Sequence, residues 1–145
     1  MNTNFRGQLR LALILSLVLA GCIKNNPTPT PPPIQVANSI NTLAQTLNAA
    51  TSGLIAARDA GELSQADLTA AFNVITPIAN AGKAINVELR SSDTWEIQKV
   101  KVLGIVTGSG AAEAARHLPP NARAIMLAAI TLFNSISTTV GGPSI

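Results

Sequence analysis

Residues 40–68 read INTLAQTLNAATSGLIAARDAGELSQADL, and the placing of their apolar residues decides the fold. Ile40, Leu43, Leu47, Ala50, Leu54 and Ala57 follow one another at spacings of 3, 4, 3, 4 and 3. Residues three and four apart share a helix face, so this alternation is a helical seam. Asn41, Gln45, Asn48 and Ser52 fall off it. The spacing predicts a helix of about 25 residues with one narrow buried stripe. End signals then crowd together. Gly61 can take the positive φ of a position just past a helix C-terminus. Ser64 is an N-cap residue with Asp67 three positions on, a variant capping box. Leu63 and Leu68 occupy the two positions of a hydrophobic staple.

The seam resumes beyond the turn at Leu68, Ala71, Ile75, Ile78, Gly82, Ile85 and Leu89. Two seams of similar length with a short connection predict an antiparallel helical hairpin. Many seam residues are Ala or Gly, which lets the helices approach closely. Pro77 lies inside the second helix, where it removes a backbone bond and is expected to kink or break it near Ile75. Thr76 is placed to satisfy a freed carbonyl.

Further along, Ser91, Ser92 and Asp93 end the second helix and are expected to cap the next, with Glu96 three after Asp93. Residues 95–106 fit a helix through Ile97, Val100 and Leu103, and fit a strand through their β-branched content. Helix is the better reading, because nothing else in the chain offers a partner strand. Thr107, Gly108, Ser109 and Gly110 read as a turn. Residues 111–117 read as a short helix, and Pro119 and Pro120 interrupt the chain. A last helix is expected over residues 121–139, with Ile125, Ala129, Leu132, Ile136 and Val140 as its apolar stripe. Its unbroken apolar run is too short to span a bilayer, so it reads as the central core helix. The fold class expected is all-α: a small helical bundle built on an antiparallel hairpin over residues 34–145.

Upstream, residues 24–33 read KNNPTPTPPP, and five of the chain's nine prolines fall in positions 27–33. Proline fixes φ and removes a donor, so this stretch is expected to stay out of any helix or sheet interior. It reads as an extended spacer about 30 Å long. Residues 1–10 are polar and carry Arg6 and Arg10; residues 11–19, LALILSLVL, are apolar apart from Ser16. A basic start, a short apolar stretch and small residues after it define a secretory signal. The division is then 1–21 as a cleaved signal peptide, 22–33 as Cys22 with its Pro-rich linker, and 34–145 as the helical domain.

The tetrapeptide Leu19-Ala20-Gly21-Cys22 resembles the lipobox of bacterial lipoproteins. The resemblance covers about the first 22 residues and agrees in residue type and in distance from Met1. It implies that the leader is cut between Gly21 and Cys22. It also implies a diacylglyceryl group on the Cys22 thiol and acylation of the new amino terminus. The membrane, reached through that lipid, is then the chain's first partner. In enteric lipoproteins an aspartate after the cysteine marks inner-membrane retention. Ile23 stands there instead, which implies the periplasmic face of the outer membrane in a Gram-negative host.

Charge excludes one function class. Beyond residue 21, eight basic residues face seven acidic ones, so the formal charge of +3 falls to +1. No basic face for nucleic acid is expected; Lys99 and Lys101 near Trp95 come closest to one. The single cysteine allows no internal disulfide. One histidine, His117, cannot make a metal site without other ligands, and it reads as a partner for a helix C-terminus. Gly108-Ser109-Gly110-Ala111-Ala112-Glu113 superficially matches a dinucleotide-binding turn. Glu113 replaces the third glycine and would repel phosphate, and no parallel strands accompany it. Asp93 and Glu96 are spoken for as a cap. Glu88 is expected to pair with Arg90 or with a neighbouring helix, and Asp59 and Glu62 flank the hairpin turn in solvent. Gly-x-Ser-x-Gly is absent.

These readings point away from an enzyme and require no cofactor or metal. They favour a lipid-anchored envelope protein acting through a protein partner or a second copy, or as a spacer. Two alternatives remain. Cys22 with the proline run is similar to the outer-membrane spanin subunits of phage lysis, though those are mostly extended. An apolar-ligand carrier could use a cleft near Pro77 and Trp95.

Overall fold

A computed structural model describes residues 30–144; Gly21, Cys22, the leader and most of the proline spacer lie outside the described residues. Five helices follow in order: α1 (Pro32–Asp59), α2 (Gln65–Glu88), α3 (Trp95–Gly108), α4 (Ala111–Arg116) and α5 (Pro120–Thr139). Among the described residues there is no strand. The chain is an all-α bundle, as its seams require.

The first helix starts inside the proline run, which corrects the expectation that residues 27–33 stay out of any helix. Pro31 is the N-cap, and Pro32 and Pro33 form the opening turn. The first backbone N–H groups of a helix have no intrahelical acceptor, so proline loses nothing there, and its φ is already helical. The Pro31 carbonyl accepts from the amides of Ile34 and Gln35 at 3.0 and 3.1 Å. The seam of α1 holds: Ile40, Leu43, Leu47, Ala50 and Leu54 are buried, and Val36 extends the stripe one turn earlier.

The hairpin turn forms as its residues dictate. Gly61 has φ +76°. Its amide donates to the Arg58 carbonyl at 2.9 Å, and the Glu62 amide donates to the Ala57 carbonyl at 2.8 Å. Those two bonds are the Schellman closure of α1. The capping box at the start of α2 is complete. The Asp67 amide donates to Ser64 Oγ at 3.1 Å, and the Ser64 amide donates to Asp67 Oδ2 at 3.0 Å. Leu63 and Leu68 are both buried, as a staple requires.

The second helix runs through Pro77 without a break. The bond that proline removes belongs to the carbonyl of Asn73, an exposed residue, where water can satisfy it. Thr76 makes no hydrogen bond to it among the described residues. The α2 seam is also shifted slightly: Val74 is fully buried, whereas Ile75 and Leu89 are half-buried. Packing against all four other helices buries more of α2 than a single seam, and Val74 and Ala81 join its inner face.

Residues 95–106 are helical, with the inner face at Gln98, Val102 and Val106. Ile97 and Val100, expected inside, are exposed, and Leu103 is half-buried. The stripe of α5 holds at Ala129, Ile136 and Val140 and shifts at its other two positions. Ala122, Met126, Ala129, Phe133 and Ile136 are buried, while Ile125 and Leu132 are half-buried.

The central element is α2, not the last helix, for α2 packs against each of the other four. α5 wedges against both α1 and α2, and α3 makes its extensive helix contact with α2. Gly82 of α2 lies beside Ile40 and Leu43 of α1, so the hairpin is antiparallel. Where α1 begins, α2 ends.

Candidate functional site

The end of the bundle where α1 begins gathers most of the polar chemistry outside the hairpin turn. Residues 89–94 connect α2 to α3 there. Gln98, buried, donates from Nε2 to the carbonyls of Glu88 and Ser91, both at 3.3 Å. Its side chain thereby ties off the end of α2, where the Glu88 carbonyl also accepts from the Ser91 amide at 3.0 Å. Lys101 Nζ reaches Asp93 Oδ2 at 2.5 Å and Glu88 Oε1 at 3.1 Å. The hydrogen bond from Lys101 holds the Asp93 carboxyl below its ordinary range, and the same bond, accepted by Asp93, raises Lys101 above its own. Asp93 therefore does not cap α3. Thr94 is the N-cap, with no side-chain cap bond. The lysine eight residues along outcompetes the helix amides for the carboxylate. Glu88 pairs with the neighbouring helix rather than with Arg90.

The glycine turn is a helix connection and nothing more elaborate. Gly110, at φ +74°, is the N-cap of α4. Ser109 Oγ donates to the Val106 carbonyl at 2.7 Å and accepts from the Ala111 amide at 3.2 Å. The hydroxyl is consumed by the turn. His117 is the C-cap of α4, and its Nε2 lies 3.1 Å from Glu113 Oε1. Arg116 reaches the same carboxylate at 3.1 Å, and all three side chains are exposed. Among the described residues, no three His, Cys, Asp or Glu side chains gather as metal ligands.

A shallow open groove of about 460 Å³ runs between α2 and α3, lined by Pro77, Ala84, Gly104 and Gly108 among others. Pro77 lines it and Trp95 does not. Two glycines and an alanine leave the space open.

Beside the groove stands a surface that the sequence reading missed. Val87 on α2 and Ile97 and Val100 on α3 are 73%, 49% and 69% exposed. Lys83, Arg90 and Lys99 are near them, and none is in an ion pair among the described residues. The signal was present in the sequence. Residues 95–108 carry apolar side chains on every side of a helix, more than one inward stripe can absorb. No helix among the described residues is long and apolar enough to cross a membrane. Compared with known protein families, curated proteins and solved structures, the chain matches none.

Proposed function

We propose that this chain is a membrane-anchored, non-enzymatic lipoprotein of the bacterial cell envelope, held by a lipid on Cys22. One observation carries the reading: Leu19-Ala20-Gly21-Cys22 follows a basic start and a short apolar run. Acylation at the thiol and the amine supplies the two or more chains that stable anchoring needs. In a Gram-negative host, Ile23 directs it to the periplasmic face of the outer membrane. The helical bundle is the cargo of that anchor, a structural or protein-interaction module. Ser64, Asp67, Glu88, Asp93, Gln98, Lys101 and Ser109 are taken up by caps, turns and a lysine–carboxylate cluster, which supports a non-enzymatic role. A lysis subunit of the spanin type is the weaker reading, because those subunits are mostly extended and this chain folds into a bundle from Pro32 onward.

Expression in a Gram-negative host tests the anchor. Mass spectrometry of the mature amino-terminal peptide is expected to begin at Cys22 and to carry acyl chains. Cys22→Ser is expected to abolish both the lipid and detergent-phase partitioning. Unchanged partitioning in that variant would falsify the reading.

A further inference from the structure

α3 scatters apolar side chains over every side, between Glu96, Lys99 and Lys101, yet its extensive helix contact is with α2 alone, so part of them is left without cover. Val102 and Val106 fill that inner face, and Ile97 and Val100 face out. On α2, Val87 is the most exposed large apolar residue of the described chain, at 73%. α2 and α3 run antiparallel, with Lys101 joined to Glu88 and Gly104 level with Ala84 across the groove. Val87 and Val100 therefore share the outer side of one end of the pair.

Charge identifies the occupant. Lys83 precedes Val87 by four residues and Arg90 follows it by three, which sets both beside it on the helical repeat. Lys99 lies one helical step round α3 from Val100, at the border of the face, with Glu96 between them. These three cations are unpaired among the described residues. The local carboxylates are mostly spent, because Lys101 holds Glu88 and Asp93 and leaves Glu96 as the exposed exception. An overall balance near neutrality thus conceals a basic rim around an apolar patch. A surface of exposed aliphatics ringed by unpaired cations fits anionic lipid headgroups.

Position agrees. Gly82 lies beside Ile40, so the start of α1 is level with the end of α2, at the end that bears this patch. Ten residues separate Cys22 from Pro32, a covalent reach of at most about 36 Å. A tether that short keeps the patch at high effective concentration near the bilayer.

We propose that the outer face formed by Val87, Ile97 and Val100, rimmed by Lys83, Arg90 and Lys99, rests on an anionic lipid surface. The bundle then lies against its membrane instead of standing away on a spacer. This inference rests on the reading of Cys22 as lipidated.

Trp95, the only tryptophan in the chain, opens α3 at this end but packs against the core, so the probe is moved onto the face by Ile97→Trp with Trp95→Phe. Full-length lipidated protein of this variant is reconstituted into phosphatidylethanolamine vesicles containing dibrominated phosphatidylglycerol. Tryptophan emission is expected to be quenched at low salt and to recover at high salt. Quenching is expected to be weak when the brominated lipid is phosphatidylcholine and no anionic lipid is present. At roughly fivefold per charge, Lys83→Gln with Arg90→Gln weakens the hold about 25-fold. Val87→Asp with Val100→Asp removes the patch at exposed positions and is expected to abolish the quenching, with circular dichroism expected to stay unchanged. Protein that floats with the vesicles at high salt but leaves the tryptophan unquenched at low salt overturns the inference. Cross-linking between copies through α3 with the tryptophan unquenched overturns it too, and assigns the face to a second copy. Failure to float at high salt counts against the anchor alone, since quenching by added vesicles at low salt still reads the face.

Discussion

Two glycines show how differently the same substitution reads at two sites. A Cβ on Gly142 would come 2.5 Å from Ser137 Oγ and 2.9 Å from Leu103 Cδ1. Ser137 cannot simply move aside. Ser137 is fully buried and its hydroxyl donates to the Pro143 carbonyl at 2.6 Å, and the Gly142 amide donates to the Ser137 carbonyl at 2.8 Å. Gly104 sits within α3 with nothing within 4 Å of its would-be Cβ. Gly142→Ala is therefore expected to destabilise the bundle by about 1–3 kcal/mol through overpacking. Gly104→Ala is expected to stabilise it by about 0.5–1 kcal/mol, because alanine costs less backbone entropy in a helix. Urea midpoints moving in opposite directions are the expected result; a common direction would refute the packing account. The sequence could not separate these glycines, because the crowding at 142 arises from the chain folding back onto Ser137 and from Leu103 of α3, which is distant in the chain.

The helices whose polar residues leave a single apolar stripe were the legible ones. Asn41, Gln45, Asn48 and Ser52 pin the face of α1, and Gly61, Ser64 and Asp67 pin its turn. α5 offers no such guide. Residues 124–130 are all apolar, so several stripes satisfy the helical period, and contact with α1 and α2 selects the one through Met126 and Phe133. Pro77 misled for a different reason, since a break is costly only where the freed carbonyl is dry. Pro77→Ala restores the bond to the Asn73 carbonyl and is expected to raise stability by about 1–3 kcal/mol, toward the intrinsic penalty of an internal proline. A fall in the urea midpoint would mean that ring packing against α3 outweighs the missing bond. The α2–α3 joint responds to pH. The folded-state value of Asp93 is lowered, chiefly by the Lys101 hydrogen bond, so its contribution is present at neutral pH and lost as pH falls through that value. Lys101 is raised, so its contribution holds at neutral pH and fades as pH rises through its folded-state value. Thermal unfolding of the wild type is expected to weaken in acid more steeply than that of Lys101→Met. Parallel acid limbs would remove Asp93 from the account.

At the scale of the molecule, one core and one uncovered face divide the apolar residues between two tasks. The core joins all five helices, with α2 at its centre and Phe133 fully buried. Phe133→Ala is expected to cost about 3–5 kcal/mol, from lost burial and the cavity left behind. A domain of this size has roughly 5–15 kcal/mol of stability in all, so that variant stands near the limit of folding. Val100→Ala removes apolar volume from a residue 69% exposed and is expected to change stability by no more than about 0.5 kcal/mol. The contrast matters because composition alone makes the two residues look alike. If Val100→Ala lowers the urea midpoint as far as a core substitution does, α3 is held to the bundle through its outer face as well, and that face is not free for a membrane. If the midpoint stays, the aliphatic side chains of α3 that point outward have no folding role to explain them. Burial would then account for Val102 and Val106, and contact with something beyond the bundle would account for Ile97 and Val100.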